Sequence, residues 1–260
     1  MTATSARPAA TTAAPAGTAA DASTAAHTTH AGAANGPTAT STAPTSAGRT
    51  AVQRQDPQTA WHRTAEELTA FLPTLQNAPR DVGTLELVVR RPAPAEREVL
   101  QEGELDLAVG LVGDSWSTRP SSRTEDGRAH PDMQLTIMSS AVIGFLAGDP
   151  GRRALAGDQL YVDLDLSHDN LPAGSLLTIG DRPGGGAVVE VTDQPHRGCA
   201  KFVHRFGAEA MRAVNDRQGR RRRLRGLNAR VVVPGRVRPG DPVTVRRPGT
   251  SDPDQETSTG

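Results

Sequence analysis

Apolar residues recur at helical spacing behind the capping residue Thr59, at Trp61, Ala65, Leu68, Phe71, Leu72 and Leu75. Pro73 and Pro79 limit how far such a helix can run. Beyond it the period changes to alternation. Segments 84–90, 104–111, 134–138, 159–166, 176–179, 187–192, 229–233 and 243–246 are rich in Val, Ile, Leu and Thr and predict about eight strands. Turn residues separate them, and Gly180 to Gly186 reads as a long hairpin loop between two of them. Two more helices are predicted, Ala141 to Ala147 behind Ser139 and Ser140, and Ala208 to Val214 starting at Gly207. Strands outnumber helices and do not interleave with them, which disfavours a doubly wound parallel sheet. The expectation is a mainly β fold, a closed or nearly closed barrel with a few short helices.

Composition sets the limits of that domain. From Met1 to Ala51 there is no Val, Ile, Leu, Phe, Trp, Tyr or Cys, and the charged residues are Arg7, Asp21 and Arg49 alone. Such a segment cannot bury enough apolar surface to offset the entropy of ordering it. We therefore expect a disordered tail over residues 1–55, one folded domain over 56–248 and a polar tail over 249–260. Neither a secretory signal nor a spanning helix is recognisable, and the Ala/Thr-rich start lacks the arginines of a transit peptide. A single cysteine excludes an internal disulfide and agrees with a reducing compartment. The expectation is a soluble, cytoplasmic protein.

Charge balances to zero over the chain, so nothing global points to nucleic acid or membrane. Locally, arginines crowd residues 205–247, with Arg220, Arg221, Arg222, Arg223 and Arg225 nearly contiguous. Two readings stand, a solvated loop or an anion-binding surface. The polar stretch from Gly113 to Asp132, with Trp116, Arg119, Arg123, Arg128 and His130, is long enough to form a pocket wall.

The chemistry is expected at Pro195-His196-Arg197-Gly198-Cys199-Ala200-Lys201, which holds the only cysteine and the only lysine of the chain. Neighbouring positive charge favours the reactive thiolate, and Gly198 frees the backbone beside it. The bland alternative is a small buried hydrophobe. Lys201 offers a compact charge or an imine-forming amine, although a chance survivor explains a lone lysine equally well. His196 and Cys199 fall short of a zinc ligand set. A Cys-His nucleophile pair with His130 or His196 has no surrounding signature, and no phosphate-binding glycine loop precedes a helix.

The order of several short motifs adds to this. Gly113-Asp114-Ser115-Trp116, Asp158-Gln159-Leu160, Asn170-Leu171-Pro172-Ala173-Gly174, Val188-Val189-Glu190-Val191-Thr192, Pro195-His196-Arg197-Gly198-Cys199, Arg225-Gly226-Leu227-Asn228 and Gly235-Arg236-Val237-Arg238-Pro239-Gly240-Asp241 follow one another along the chain. In that order the chain resembles MOSC domains, the module named after the C-terminal part of molybdenum-cofactor sulfurase, from about Val82 to Arg247. The resemblance implies a β-barrel whose strand-end loop carries a cysteine, here Cys199, that transfers sulfur or ligates molybdenum of the molybdopterin cofactor. Arg197, Lys201, His196, Arg205 and Arg225 are then expected around the cofactor. It implies an electron-donor protein or a cysteine desulfurase as partner and a small-molecule substrate, with neither nucleic acid nor membrane. The N-terminal β-rich domain and the aminotransferase-like domain of larger relatives are not recognisable here, so pyridoxal phosphate, which belongs to the latter, is not expected. The rival readings are a non-catalytic adaptor using the arginine-rich surface and a cysteine hydrolase.

Overall fold

The computed structural model describes residues 61–181 and 186–249, all within the compact unit Gln53–Gly260. The expected tails at 1–55 and beyond Gly249 lie outside the described residues, as do Thr59 and the centre of the hairpin loop at 182–185. Helix α1 (Ala65–Phe71) is capped by Thr64. Its hydroxyl accepts from the Glu67 amide while the Glu67 carboxylate accepts from the Thr64 amide, a reciprocal pair that satisfies two free N–H groups. A tighter turn over Leu72–Asn77 follows, with Pro73 in its first turn.

Seven strands close a barrel. In ring order they are β1 (Val82–Arg90), β6 (Leu160–Asp163), β5 (Leu135–Ser139), β9 (Leu227–Val233), β8 (Ala187–Val191), β7 (Leu176–Ile179) and β11 (Pro242–Arg246), which pairs back onto β1. Strand β2 (Glu98–Leu100) extends β1 on one side. The β5–β6 joint is parallel and the other joints of the ring are antiparallel. A parallel neighbour cannot be reached by a hairpin. Helix α2 (Ser140–Ala147) and a short 3-10 segment (Pro150–Ala156) supply the crossover. Strand and helix therefore do alternate at this one place, against the expectation that they would not. The segment expected as one strand, 104–111, is broken by a turn at Asp106 into β3 (Gly103–Asp106) and β4 (Gly110–Leu111). With β10 (Gly235–Val237) they form a separate three-stranded sheet. The Asp106 carboxylate accepts from the Ala108 and Val109 amides and holds that turn.

Two hydrophobic clusters hold the molecule together. One fills the barrel, with Leu85, Ile137, Leu160, Val189, Val191 and Val243. The other lies between the helices and the outer face of β5 and β6, with Met138, Ile143, Tyr161, Phe202 and Phe206. Strands β5 and β6 are thus buried on both faces, with adjacent apolar residues at Ile137-Met138 and Leu160-Tyr161-Val162, whereas β7 alternates buried Leu177 and Ile179 with exposed Thr178. Each fully buried Leu, Ile or Val contributes roughly 1.5–3 kcal/mol.

The expected helix at 208–214 belongs to a longer one, α3 (Ala200–Asn215), kinked at Gly207. Gly207 has φ of 89°, a backbone region that disfavours side chains, and a Cβ there would lie 2.9 Å from the His62 ring. The first half of α3 was hidden because Gly207 reads as a helix start, although Phe202 and Phe206 are spaced for one helix face and Lys201, His204 and Arg205 for the other. Its buried face is Phe202 and Phe206, which pack on the second cluster and carry Cys199 with them.

Candidate functional site

Cys199 is exposed and forms the N-cap of α3, at the end of the loop that leaves β8. Its carbonyl accepts from the Phe202 and Val203 amides. The loop is clamped from behind by Asn215, whose side chain accepts from the Gly198 amide at 3.1 Å and donates to the Gly198 carbonyl at 3.3 Å. A Cβ at residue 198 would lie 2.6 Å from Met211 Sδ, so Gly198 permits close packing on α3 rather than the approach of a ligand.

In front of Cys199 lies a cleft of about 720 Å³. Cations dominate its lining: Arg91, Arg97, Arg119, Lys201, Arg205 and Arg225, with no carboxylate among the lining residues. They divide into two kinds. Arg91 and Arg225 are buried and each is paired with a carboxylate, although Nε of Arg225 has no partner among the described residues. The Arg91 guanidinium donates to both oxygens of Asp114 at 2.8 Å and to the Gly157 carbonyl, and Arg225 donates to Asp158 Oδ2 at 2.6 Å and to the Ala156 carbonyl. Burial alone would raise the Asp114 carboxyl, but the hydrogen bonds and charge of Arg91 outweigh it and hold that group below the usual carboxylate range. Arg97, Arg119 and Arg205 have no ion pair among the described residues. Arg119 donates to the Ser115 hydroxyl, Arg205 to the Leu155 carbonyl, and the buried Nε of Arg97 has no partner. Burial and the neighbouring cations Arg205 and Arg91 push Arg97 down, and burial with Arg91 does the same to Arg119. Cations gathered without counter-charge are costly in the absence of a bound anion.

His196 stands apart from this cleft. Its side chain lines two neighbouring cavities, one with Arg197 and Arg223, the other with Trp116, His130 and Asn228. Nδ1 of His196 faces Asp158 Oδ1 at 3.5 Å. Burial first, then the charge of Arg225, pushes this imidazole down to about 3, so it is neutral at ordinary pH. Arg197 is exposed and lines the His196 cavity without reaching the cysteine cleft, a correction to its expected place. Of the expected residues, Cys199, Lys201, Arg205 and Arg225 meet at one cleft, and His196 adjoins it through Arg225. Neither His130 nor His196 lines the cleft, and no hydrogen bond joins either to the thiol among the described residues. No cluster of three His, Cys, Asp or Glu side chains suited to a metal occurs among the described residues.

Sequence reading passed over Arg91 and Arg97, which lie far from the cysteine along the chain. The long loop after Gly113 was the available signal, and it does form a wall, through Ser115, Thr118, Arg119 and Pro120. The arginine run near residue 220 divides, with Arg220 and Arg221 exposed and Arg223 and Arg225 buried. Its first part is a short helix, α4 (Arg217–Arg221), and from Arg221 to Arg225 it is spent on internal contacts. Arg221 pairs with Asp169, Arg222 donates to the Leu72 carbonyl and buried Arg223 to the Leu171 carbonyl.

A family model described as MOSC domain matches residues 128–244. Over these residues the chain is similar to MOSC domains. The matched span takes in the cysteine loop, α3 and five of the seven barrel strands, while Arg91, Arg97 and Arg119 come from outside it. Among solved structures, the YuaD protein from Bacillus subtilis is 18% identical, with 63% of this chain and 95% of that chain covered and a TM-score of 0.45. YiiM from Escherichia coli is 20% identical over 65% of this chain and 72% of that one, with a TM-score of 0.40. No curated protein matches the chain significantly. Among the described residues no helix is long and apolar enough to cross a membrane.

Proposed function

We propose that the cleft of this MOSC-like domain holds a multiply anionic cofactor of the molybdopterin type, with Cys199 as its sulfur ligand. One observation carries the reading: an exposed thiol at a cleft of about 720 Å³ where Arg97, Arg119 and Arg205 converge without carboxylate partners. The donor set fits. Arginine forks match phosphate oxygens, and a thiolate is a soft ligand suited to a transition metal. Arg97, Arg119 and Arg205 would bind the anionic groups, and Lys201 at the open side would add a point charge. Arg91 and Arg225, already held by Asp114 and Asp158, would shape the floor. When bound, such a cofactor supplies redox chemistry at the metal, which makes reduction of a small molecule, with electrons from a partner protein, the leading activity.

Exposure of Cys199 favours a second reading, sulfur carriage as a persulfide, because a thiol loaded by a partner desulfurase must be reachable. Metal and sulfur analysis separates the two. The full chain and its Cys199→Ser variant are purified from a host competent in molybdenum cofactor synthesis. Stoichiometric molybdenum lost in the variant supports cofactor binding. Cyanide-releasable sulfur that depends on Cys199, without molybdenum, supports carriage. Absence of both rejects the proposal and leaves an adaptor role.

A further inference from the structure

Across the wall formed by Arg91, Arg119 and Pro120 lies a second, smaller chamber of about 220 Å³ that the cofactor reading does not use. Trp116, His130, Met133, Thr136, His196 and Asn228 line it. One of these residues presents a buried hydrogen-bond acceptor with nothing to accept among the described residues. Asn228 is completely buried, and its Nδ2 donates to the Gln194 carbonyl at 3.1 Å. That bond fixes the amide so that Oδ1 is the free end, and Oδ1 has no partner. Buried acceptors are almost always satisfied, so an orphan calls for an occupant.

His196 is arranged in the same sense. Asp158 is anchored through Oδ2 by Arg225, and its other oxygen faces His196 Nδ1. A neutral imidazole carries one proton, and a carboxylate opposite Nδ1 places it there. Nε2 is then the acceptor of a ring that lines the chamber. The remaining walls are flat or soft, the Trp116 indole, the His130 ring and the Met133 thioether, which suit the faces of a planar group.

We propose that this chamber is a binding subsite for a small planar molecule bearing an N–H or O–H donor, read by Asn228 Oδ1 and His196 Nε2. Its role as the substrate pocket of the cofactor cleft rests on the function proposed above; its capacity to bind does not. Cationic Arg119, shared between the chamber and the cleft, places such a molecule beside whatever anion the cleft contains.

The test uses the full chain with Trp61→Phe, which leaves Trp116 as the one remaining tryptophan. Its fluorescence is titrated with benzamide and with acetophenone, which has the same shape but a methyl group where benzamide has its donor. The expected result is a saturable change with benzamide at an affinity about tenfold above that of acetophenone. Asn228→Leu, checked for folding by circular dichroism, should remove the preference, and His196→Phe serves the same purpose if the leucine variant does not fold. Equal affinity for the two probes, or no saturable response to benzamide, overturns the proposal. Because the readout is binding and not metal or sulfur content, this failure and failure of the cofactor reading are separately visible.

Discussion

Two groups of arginines in this molecule have opposite fates. Those at 221–225 are adjacent in the chain and dominate the charge pattern, yet they are spent internally on Asp169, on backbone carbonyls and on Asp158. Burial pushes even Arg223 down to about 10, which leaves it charged and committed to two carbonyls. Arg97, Arg119 and Arg205 come from three distant segments and converge on one cleft with no carboxylate partner among the described residues. Density of charge along a chain is therefore a poor guide to a site. What matters is convergence of cations whose counter-charge must come from outside.

The comparison is broken most severely at the buried pairs. Asp158→Ala should destabilise the fold by about 3–5 kcal/mol in chemical denaturation, because it strands the buried Arg225 without its counter-charge. If stability is unchanged, Arg225 is free to serve the cleft as Arg97 does. The next effect is one of pH. His196 is pushed down to about 3 in the folded state from an ordinary value of 6.5. Between these values the unfolded chain binds the proton and the folded one does not, so stability falls as pH drops from about 6.5 towards 3. The loss is on the order of a few kcal/mol, and denaturation midpoints against pH should flatten in this window for His196→Phe.

A smaller effect separates the two arginine groups directly. Pyrophosphate should raise the melting temperature of the wild type by mass action, and Arg97→Gln should reduce that rise while leaving the stability without ligand within about 0.5 kcal/mol. An undiminished rise places the anion elsewhere. The smallest effect belongs to Arg221→Ala, whose exposed pair with Asp169 is worth about 0–1 kcal/mol and whose loss should leave the pyrophosphate response as it was.

Much of this fold was legible in the chain and much of the site was not. Seven of the eight expected segments contain or nearly coincide with the barrel strands, because alternation against a single buried face is a local property. The break in 104–111 was hidden because the turn residues Leu107, Ala108 and Val109 are apolar, although Gly110 with φ of 72° closes the turn. Strands β2 and β10 were too short to show a period. In the site, Cys199 stood out through its setting and the family resemblance, and Lys201, Arg205 and Arg225 do lie with it. Arg197 was placed there by nearness in sequence, but it lines the neighbouring cavity with His196.

Taken by itself, the sequence determined the mainly β character, the positions of most strands, the two faces of the helices and the identity of the one thiol. These follow from short-range spacing of apolar side chains and from composition. Tertiary structure alone decided which arginines remain without a partner, where Asp158 and Asp114 turn their carboxylates, and that His196 looks into a chamber beside the cysteine cleft and not into the cleft itself. Those outcomes depend on closure of the barrel, which brings β1, the loop after Gly113 and α3 together from distant parts of the chain, and no local pattern records that meeting.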